Sequence, residues 1–172
     1  MSISGYLPAG NSYGNNFFVY PGDNKDQLVK TLRYDIDYNY ISTLGMQMAY
    51  GRNFSKDFGT DSSGIILNET TAKAMGWEHD ALGKTISTGD KHGIPTRYHV
   101  IGVVKDFHFK SLHELISPLV MILNNGAGTM IIKVKTKDIA GLLATLKKDW
   151  ASFSPDGAMS YSFLDDLSLI HI

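Results

Sequence analysis

The hydrophobic residues of this chain lie mostly in short runs, many of which alternate with polar residues as they do in a β-strand. In residues 28–37, "LVKTLRYDID", an apolar side chain recurs at every second position, so that Leu32, Tyr34 and Ile36 share one face. Comparable runs rich in β-branched and aromatic residues predict further strands. They are "NFFVY", "MQMAYG", "GIIL", "KTIST", "TRYHVIGVVKDFHF", "PLVMILN", "TMIIKVK" and "SYSFL".

Helical signals are fewer but locally strong. Residues 139–153 carry one apolar stripe at the spacing of an α-helix, preceded by Asp138 and followed by the helix-breaking "SPDG". The stripe consists of Ile139, Leu142, Leu143, Leu146, Trp150 and Phe153. Shorter helices are predicted in "NETTAKAMG", with Asn68 as N-cap and Gly76 at its end, and in "YNYISTLG", closed by Gly45. Because strands outnumber helices in a mixed order, the sequence predicts an α+β fold.

The composition excludes several classes of protein. The chain has 172 residues, 43% hydrophobic and 19% charged, which is typical of one globular domain or two small lobes. A formal net charge of −1 and scattered Lys and Arg argue against nucleic-acid binding. Without cysteine, neither disulfides nor thiolate metal sites form, and this absence fits an extracytoplasmic location. The chain shows no signal-peptide pattern, and its longest apolar runs are far below the roughly 20 residues of a membrane-spanning helix.

The last six residues, "LSLIHI" at 167–172, have no structural role that the pattern explains. They match one reading frame of the transposon-end adapter used in DNA library preparation. An apolar C-terminal strand is the alternative. We expect a non-native tail on a truncated fragment, with the natural chain continuing past Asp166, and therefore leave His171 out of functional reasoning.

The segment "KDFHFKSLHE", residues 105–114, holds the densest chemistry in the chain. Its potential ligands and bases are Asp106, His108, Lys110, His113 and Glu114. On a strand, the first three would share one face, and Phe107 and Phe109 the other. Metal sites need three or four convergent ligands, however, and the other histidines considered lie in different segments: His79, His92 and His99. An ordinary half-exposed strand is the preferred interpretation, and a zinc module using His108 and His113 is kept as a hypothesis.

Carboxylate pairs offer a different chemistry. Asp35 and Asp37 lie on one predicted strand, and Asp165 and Asp166 follow another. Such pairs serve as glycosidase acids, although solvated strand ends are far commoner. An aromatic stretch that includes Tyr13, Phe17 and Tyr20 would either stack on a sugar or cover the core. No Gly-x-Ser-x-Gly elbow or phosphate loop occurs, "DSSG" at 61–64 being better interpreted as a loop before a strand. A secreted hydrolase or carbohydrate-binding domain is the alternative to a binding or mechanical role.

Several motifs together resemble a known family. In chain order they are "GRNF", "IILNETTAKAMGW", "ALGKTI", "YHVIGVVKDFHF", the amphipathic helix and "YSFLDD". This order is similar to the periplasmic core domain of MacB-type, FtsX-like ABC transporter permeases, in the form common in Bacteroidetes-like bacteria. The resemblance covers roughly residues 6–166, and residues 1–166 are predicted to form this domain.

The resemblance implies a porter-like lobe, a mixed sheet with packed helices, made of residues 1–50 and 129–166. Residues 51–128 would form a smaller inserted α/β lobe. It implies a non-catalytic domain without cofactor on the periplasmic side of the inner membrane, held between membrane helices. There it would transmit ATP-driven movement to the export or extraction of a substrate. The implied partners are a cytoplasmic ABC ATPase, a second permease copy or domain, and a periplasmic or outer-membrane protein. No substrate-contacting residue is marked by a motif.

Overall fold

The computed structural model describes residues 1–5, 15–24, 26–89, 95–107, 115–124, 128–155 and 157–164. The chain divides into two compact units, residues 1–132 and 133–172. The strands are β1 (Ser2–Ser4), β2 (Asn15–Pro21), β3 (Val29–Ile36), β4 (Met48–Gly51), β5 (Gly64–Asn68), β6 (Thr85–Gly89), β7 (Pro95–Val104), β8 (Leu119–Leu123) and β9 (Thr129–Ile131). The helices are α1 (Tyr40–Leu44), α2 (Glu69–Ala74) and α3 (Ile139–Phe153), with a 3₁₀ turn at Gly59–Ser63.

The strands of the first unit form one mixed sheet that closes into a ring. The pairings run β2–β6–β7–β5–β8–β3, and β3 pairs again with β2. Strand β2 closes the ring because residues 15–19 pair with β3 while residues 19–21 pair with β6. The pairs β3–β8 and β5–β7 are parallel, and the others are antiparallel. β1 and β9 extend the sheet beyond β3, and β4 joins β7.

Two hydrophobic clusters occupy opposite faces of this sheet. On β5, Ile65 and Leu67 belong to one cluster and Ile66 to the other, as the two-residue period of a strand requires. The first cluster takes residues from all six ring strands and therefore fills the inside, where Ala72 and Met75 of the α2 segment also pack. The second is covered by α1 and by a loop residue, Phe54. Burial on both faces explains the continuous apolar runs of β5 and β8.

Much of the predicted pattern is confirmed. On β3, Leu32, Tyr34 and Ile36 are buried together on one face. α1 ends at Gly45, whose φ of 73° is left-handed, and Asn68 caps α2. The predicted α+β class is confirmed by the mixed sheet with few helices.

Several predicted strands are shorter than expected or absent. β7 ends at Val104, so Asp106 lies beyond the strand, where its backbone N–H donates to Glu69 rather than to a neighbouring strand. β9 contains three of the seven residues in "TMIIKVK". The predicted strand "SYSFL" has no strand structure, although Tyr161 and Phe163 contact edge to face with centroids 5.9 Å apart. β1 was missed because the pattern predicted a loop there.

Several predictions lie outside the described residues. They concern Tyr13, His92, the segment 108–114 with its His108, Lys110, His113 and Glu114, and residues 165–172 with Asp165 and Asp166. The division into lobes stays a prediction. Within the first unit, strands from all three predicted segments pair in one sheet, since β3 pairs with β8 and β1 with β9.

The second unit contains α3. Its N-cap is Asp138, whose carboxylate accepts from the backbone N–H of Gly141 at 2.8 Å, as the sequence predicted. The Trp150 indole N–H donates to the carbonyl of Gly157 at 2.8 Å. The predicted apolar stripe is present, but no residue of α3 is buried. In the described parts of the chain, no helix has both the length and the apolar character needed to cross a bilayer.

Candidate functional site

The candidate site lies at one edge of the sheet, where three strand ends meet. β5 and β7 are parallel, so Asn68 at the end of β5 and Asp106 just after β7 lie at the same edge. β8 runs antiparallel to β5 and begins at this edge. The carboxyl ends of parallel strands are where α/β sheets usually place their sites. We call the residues Asn68, Glu69, Thr70, Thr71 and Asp106 the α2 junction.

Asn68 and Thr71 form the buried half of the α2 junction. The side-chain carbonyl of Asn68 accepts from the Thr71 backbone N–H at 3.0 Å, the Thr71 hydroxyl at 2.7 Å and the Leu119 N–H at 2.9 Å. Its amide nitrogen donates to the carbonyl of Ser117 at 3.1 Å. Both side chains are fully buried. Asn68 therefore caps α2 and fixes the start of β8 at the same time.

Asp106 forms the other half, at the first turn of α2. Its carboxylate oxygens accept from the Thr70 N–H at 3.0 Å and the Thr70 hydroxyl at 2.7 Å. The backbone N–H of Asp106 donates to the Glu69 carboxylate at 2.9 Å. An anion at the start of a helix satisfies N–H groups that the helix leaves open. Asp106, predicted as a possible partner of His108, here binds α2 instead.

The α2 junction fixes the chain on both sides of residues 108–114. Asp106 anchors the residues before this segment, and Asn68 anchors Ser117 and Leu119 after it. Leu115, which follows the segment directly, is 92% exposed. These side chains bind backbone groups, so the arrangement can position a connecting segment at the surface. A catalytic arrangement would instead pair a nucleophile with a base.

A second polar cluster ties down the loop after β4. The Arg52 guanidinium binds Asp61 with two hydrogen bonds, of 2.6 and 2.9 Å, and lies 3.9 Å from the ring centroid of Phe58. The Ser55 N–H donates to the same carboxylate at 2.8 Å. Asp61 is 1% exposed, whereas the Arg52 side chain is 35% exposed. This planar, bidentate geometry is the strong form of an ion pair.

The ionisation of this pair follows from its surroundings. Burial alone would raise the pKa of Asp61, but hydrogen bonds from Arg52 and Ser55 and the charge of Arg52 outweigh it, so its pKa is lowered. The hydrogen bond to Asp61 raises the pKa of Arg52, against the opposing effect of burial. Both groups remain charged near neutral pH. The cluster is a satisfied structural pair, with the charge of Asp61 committed to Arg52.

The predicted carboxylate pair has structural partners. Arg33 binds Asp35 at 2.7 Å. Asp37 accepts from the Ser2 hydroxyl at 2.5 Å, the Ile3 N–H at 3.0 Å and the Asn39 N–H at 3.1 Å. These contacts join β1 to the start of α1 and do not leave Asp37 as an isolated acid. Whether either carboxylate faces Asp165 or Asp166 concerns residues outside the described part.

The aromatic stretch is divided between core and surface. Phe17 packs against the cluster inside the ring, and the Arg33 guanidinium lies 5.3 Å from its ring centroid. Tyr20 is half-buried, and Phe18 is 46% exposed. Phe17 therefore covers the core, which was one of the two predicted alternatives.

The described histidines do not converge on a metal site. His79 lies in the turn after α2 and His99 on β7, and both are exposed. Among the residues that the structure describes, no three His, Cys, Asp or Glu side chains are grouped to hold a metal ion. The zinc hypothesis for His108 and His113 concerns residues beyond this part of the chain.

Sequence reasoning missed both side-chain pairs that tie the loops to the core. Arg52 and Asp61 lie in the motifs "GRNF" and "DSSG", but Arg and Asp nine residues apart are common in loops. Their pairing depends on how β4 and the 3₁₀ turn pack against β7. The N-cap role of Asn68 was predictable because it is local.

A family model described as "MacB-like periplasmic core domain" matches residues 4–148. Among solved structures, the periplasmic region of MacB from Actinobacillus actinomycetemcomitans is similar at 17% identity with a TM-score of 0.56. That match covers 88% of this chain and 64% of the other. A domain described as part of a permease protein from Porphyromonas gingivalis is similar at 15% identity with a TM-score of 0.60, covering 98% of this chain and 82% of the other. None of the curated proteins matches. At these identities the two structures show a shared fold.

Proposed function

Because the chain belongs to the family of MacB-like periplasmic core domains, as its motifs predicted, we propose that it acts as the extracytoplasmic domain of an ABC transporter permease. In this role it transmits ATP-driven conformational change from the membrane to the export or extraction of a substrate. The observation that carries the proposal is the family match over residues 4–148.

The construction of the first unit supports a mechanical role. Six strands close into a ring with a filled interior, and close-packed interiors transmit displacement with little compression. Two hydrogen-bonded clusters, the α2 junction and the Arg52–Asp61 pair, fix the loops at the edge of this ring. A body of this kind moves as a whole when its ends are pulled.

The partners follow from the same proposal. A cytoplasmic ABC ATPase supplies the energy through membrane helices on either side of this domain. A second permease copy or domain completes the transporter, which lies in the inner membrane with this domain on the periplasmic side. A periplasmic or outer-membrane protein binds its distal face. The chemistry of ATP hydrolysis belongs to the ATPase, and this domain itself is non-catalytic.

The first test is the DNA that flanks this fragment. We expect apolar stretches of roughly 20 residues to be encoded on each side, with an ATPase gene nearby. Polar flanks on both sides would contradict the proposal. The same sequence would also decide whether residues 167–172 belong to the natural chain.

The second test measures movement in the intact permease. This domain has no cysteine, so Ser62→Cys and Lys148→Cys would each introduce one attachment site for a spin label. Both positions are exposed, and they lie in different compact units. We expect the label-to-label distance distribution to change between the nucleotide-free and ATP-bound transporter. The control pair Lys30→Cys and Ser62→Cys lies within the first unit and should keep its distance. An unchanged first pair would remove the transmission role but leave the family assignment intact.

A further inference from the structure

Helix α3 presents an apolar surface that the described chain leaves uncovered. Its stripe runs from Ile139 to Phe153, and no residue of the helix is buried. Trp150 and Phe153 at the C-terminal end are 43% and 87% exposed. Nearby in the same unit, Tyr161 and Phe163 are 51% and 40% exposed. Large side chains at this density normally mark a surface that binds something.

Positive charge is concentrated around the first part of the helix. Residues 133–148 contain five lysines and one aspartate, a net charge of +4. Lys133, Lys135 and Lys137 precede α3, and Lys147 and Lys148 lie in its second half; all five are exposed. The Lys147 ammonium group also lies 5.6 Å from the ring centroid of Tyr161. Clusters of this size on amphipathic helices are typical of sites for anionic lipids.

We propose that α3 lies flat on an anionic bilayer, with its apolar stripe in the headgroup region and its lysines on lipid phosphates. A helix of 15 residues is about 22 Å long, too short for the roughly 30 Å hydrocarbon layer, so a lateral position is the one it can adopt. The proposal rests on the proposed function only for the presence of a nearby membrane.

Charge separates this occupant from a second copy of the chain. Two stripes packed together would bring two segments of +4 charge close to each other, which costs energy, whereas an anionic surface complements them. The aromatic side chains fit the same occupant. Trp150 already satisfies its N–H through Gly157, and Trp and Tyr favour the boundary between lipid and water.

The test uses the whole chain with vesicles and Trp150 fluorescence. The sequence has two tryptophans, so Trp77→Phe leaves Trp150 as the only reporter. We expect a blue shift of Trp150 emission, and quenching by brominated lipid, with vesicles of phosphatidylglycerol and phosphatidylcholine. Phosphatidylcholine alone should give neither change. Lys135→Gln and Lys147→Gln should each weaken binding about fivefold.

Matched apolar variants test the stripe itself. Phe153→Ser should weaken vesicle binding at least about tenfold, because a phenylalanine no longer enters the interface. Leu115→Ser, at a position that is 92% exposed outside α3, should leave binding unchanged. Equal binding to neutral vesicles, or no effect of Phe153→Ser, would overturn the proposal. So would a Trp150 that acrylamide cannot quench in the lipid-free chain, with sedimentation then distinguishing a self-covered stripe from a dimer. Failure here alongside membrane helices encoded on both flanks would leave the proposed function standing.

Discussion

The carboxylate of Asp61 remains ionised although it is almost completely removed from water. Two donors on Arg52 and the N–H of Ser55 replace the lost hydration. Phe58 covers the guanidinium from one side, which limits the access of water to the pair. Removing one member of such a pair costs more than the pair contributes, since the other charge is left without its partner.

We predict that Asp61→Asn lowers the free energy of unfolding by about 2–3 kcal/mol. This value is below the usual cost of breaking a buried pair because Arg52 is partly exposed and keeps some hydration. Urea unfolding followed by circular dichroism measures the loss. Asp57→Asn, an exposed carboxylate in the same loop, serves as the control and should change stability by less than about 0.5 kcal/mol.

The same variant has a defined pH dependence. The pKa of Asp61 is lowered on folding, so its contribution to stability is complete above the unfolded pKa of about 3.9 and is lost as the pH falls through the lower folded pKa. The difference between wild type and Asp61→Asn should therefore be constant above about pH 5 and shrink in stronger acid. A difference that grew on acidification would contradict the assignment of the lowered pKa.

Residue-level predictions from sequence succeed where the interaction is local. Asn68 and Asp138 each cap a helix three residues away, and both caps were predicted from the chain alone. Arg52 and Asp61 meet only after β4, the 3₁₀ turn and β7 have packed together. No pattern in the sequence records that approach, so the pair was not predicted.

At the level of elements, the two helix caps do different amounts of work. The Asn68 cap is buried and also binds the N–H of Leu119, so it connects α2 to β8. The Asp138 cap is exposed and serves only the first turn of α3. A lost exposed cap is partly replaced by water, whereas a lost buried cap leaves donors without partners.

We predict that Asn68→Ala destabilises the first unit by about 3 kcal/mol, combining a lost cap with unsatisfied buried N–H groups. Asp138→Ala should cost about 1 kcal/mol, a typical value for an exposed cap. Thermal and urea unfolding of both variants provide the comparison. Equal losses would mean that the contacts of Asn68 with β8 contribute nothing beyond capping.

Element boundaries were harder to predict than element types. The apolar run "TRYHVIGVV" continues without a break into "KDFHF", so the pattern extended β7 past Val104. The strand ends earlier because Asp106 binds Glu69 and Thr70 of α2, which is distant in sequence. β9 and "SYSFL" fail in the opposite sense, since an alternating pattern forms a strand only where another strand is available to pair.

At the scale of the molecule, the sheet is protected unevenly. β5 and β8 pair on both sides and are almost completely buried, while β9 lies at the end of the strand order and is largely exposed. Backbone amides exchange with solvent either through local opening or through complete unfolding, depending on such protection.

We predict that β5 and β8 amides exchange only through global unfolding of the first unit. The paired amides of β9 should exchange much faster, through local fraying of a short edge strand. Hydrogen exchange followed by mass spectrometry, with peptides covering each strand, measures both. Protection of β9 equal to that of β5 would show that something covers this edge in solution.

The α+β class and most of the strands were predictable, but the ring was not. The run of apolar residues in β5 indicates burial on both faces without saying which strands lie beside it. Its neighbours, β7 and β8, begin about 30 and 55 residues later. The closing contact, in which β2 pairs with both β3 and β6, is a long-range feature that no local pattern encodes.

The ring order has a consequence for synthesis. β8 is the last ring strand to be made, yet it occupies a central place between β5 and β3. Until residue 123 has left the ribosome, β3 and β5 have no strand to join them, and the interior cannot close. The emerging N-terminal part therefore remains without its native core for most of translation. Such a chain is well suited to crossing a membrane before it folds, and it depends on holding factors that shield its strands until β8 arrives.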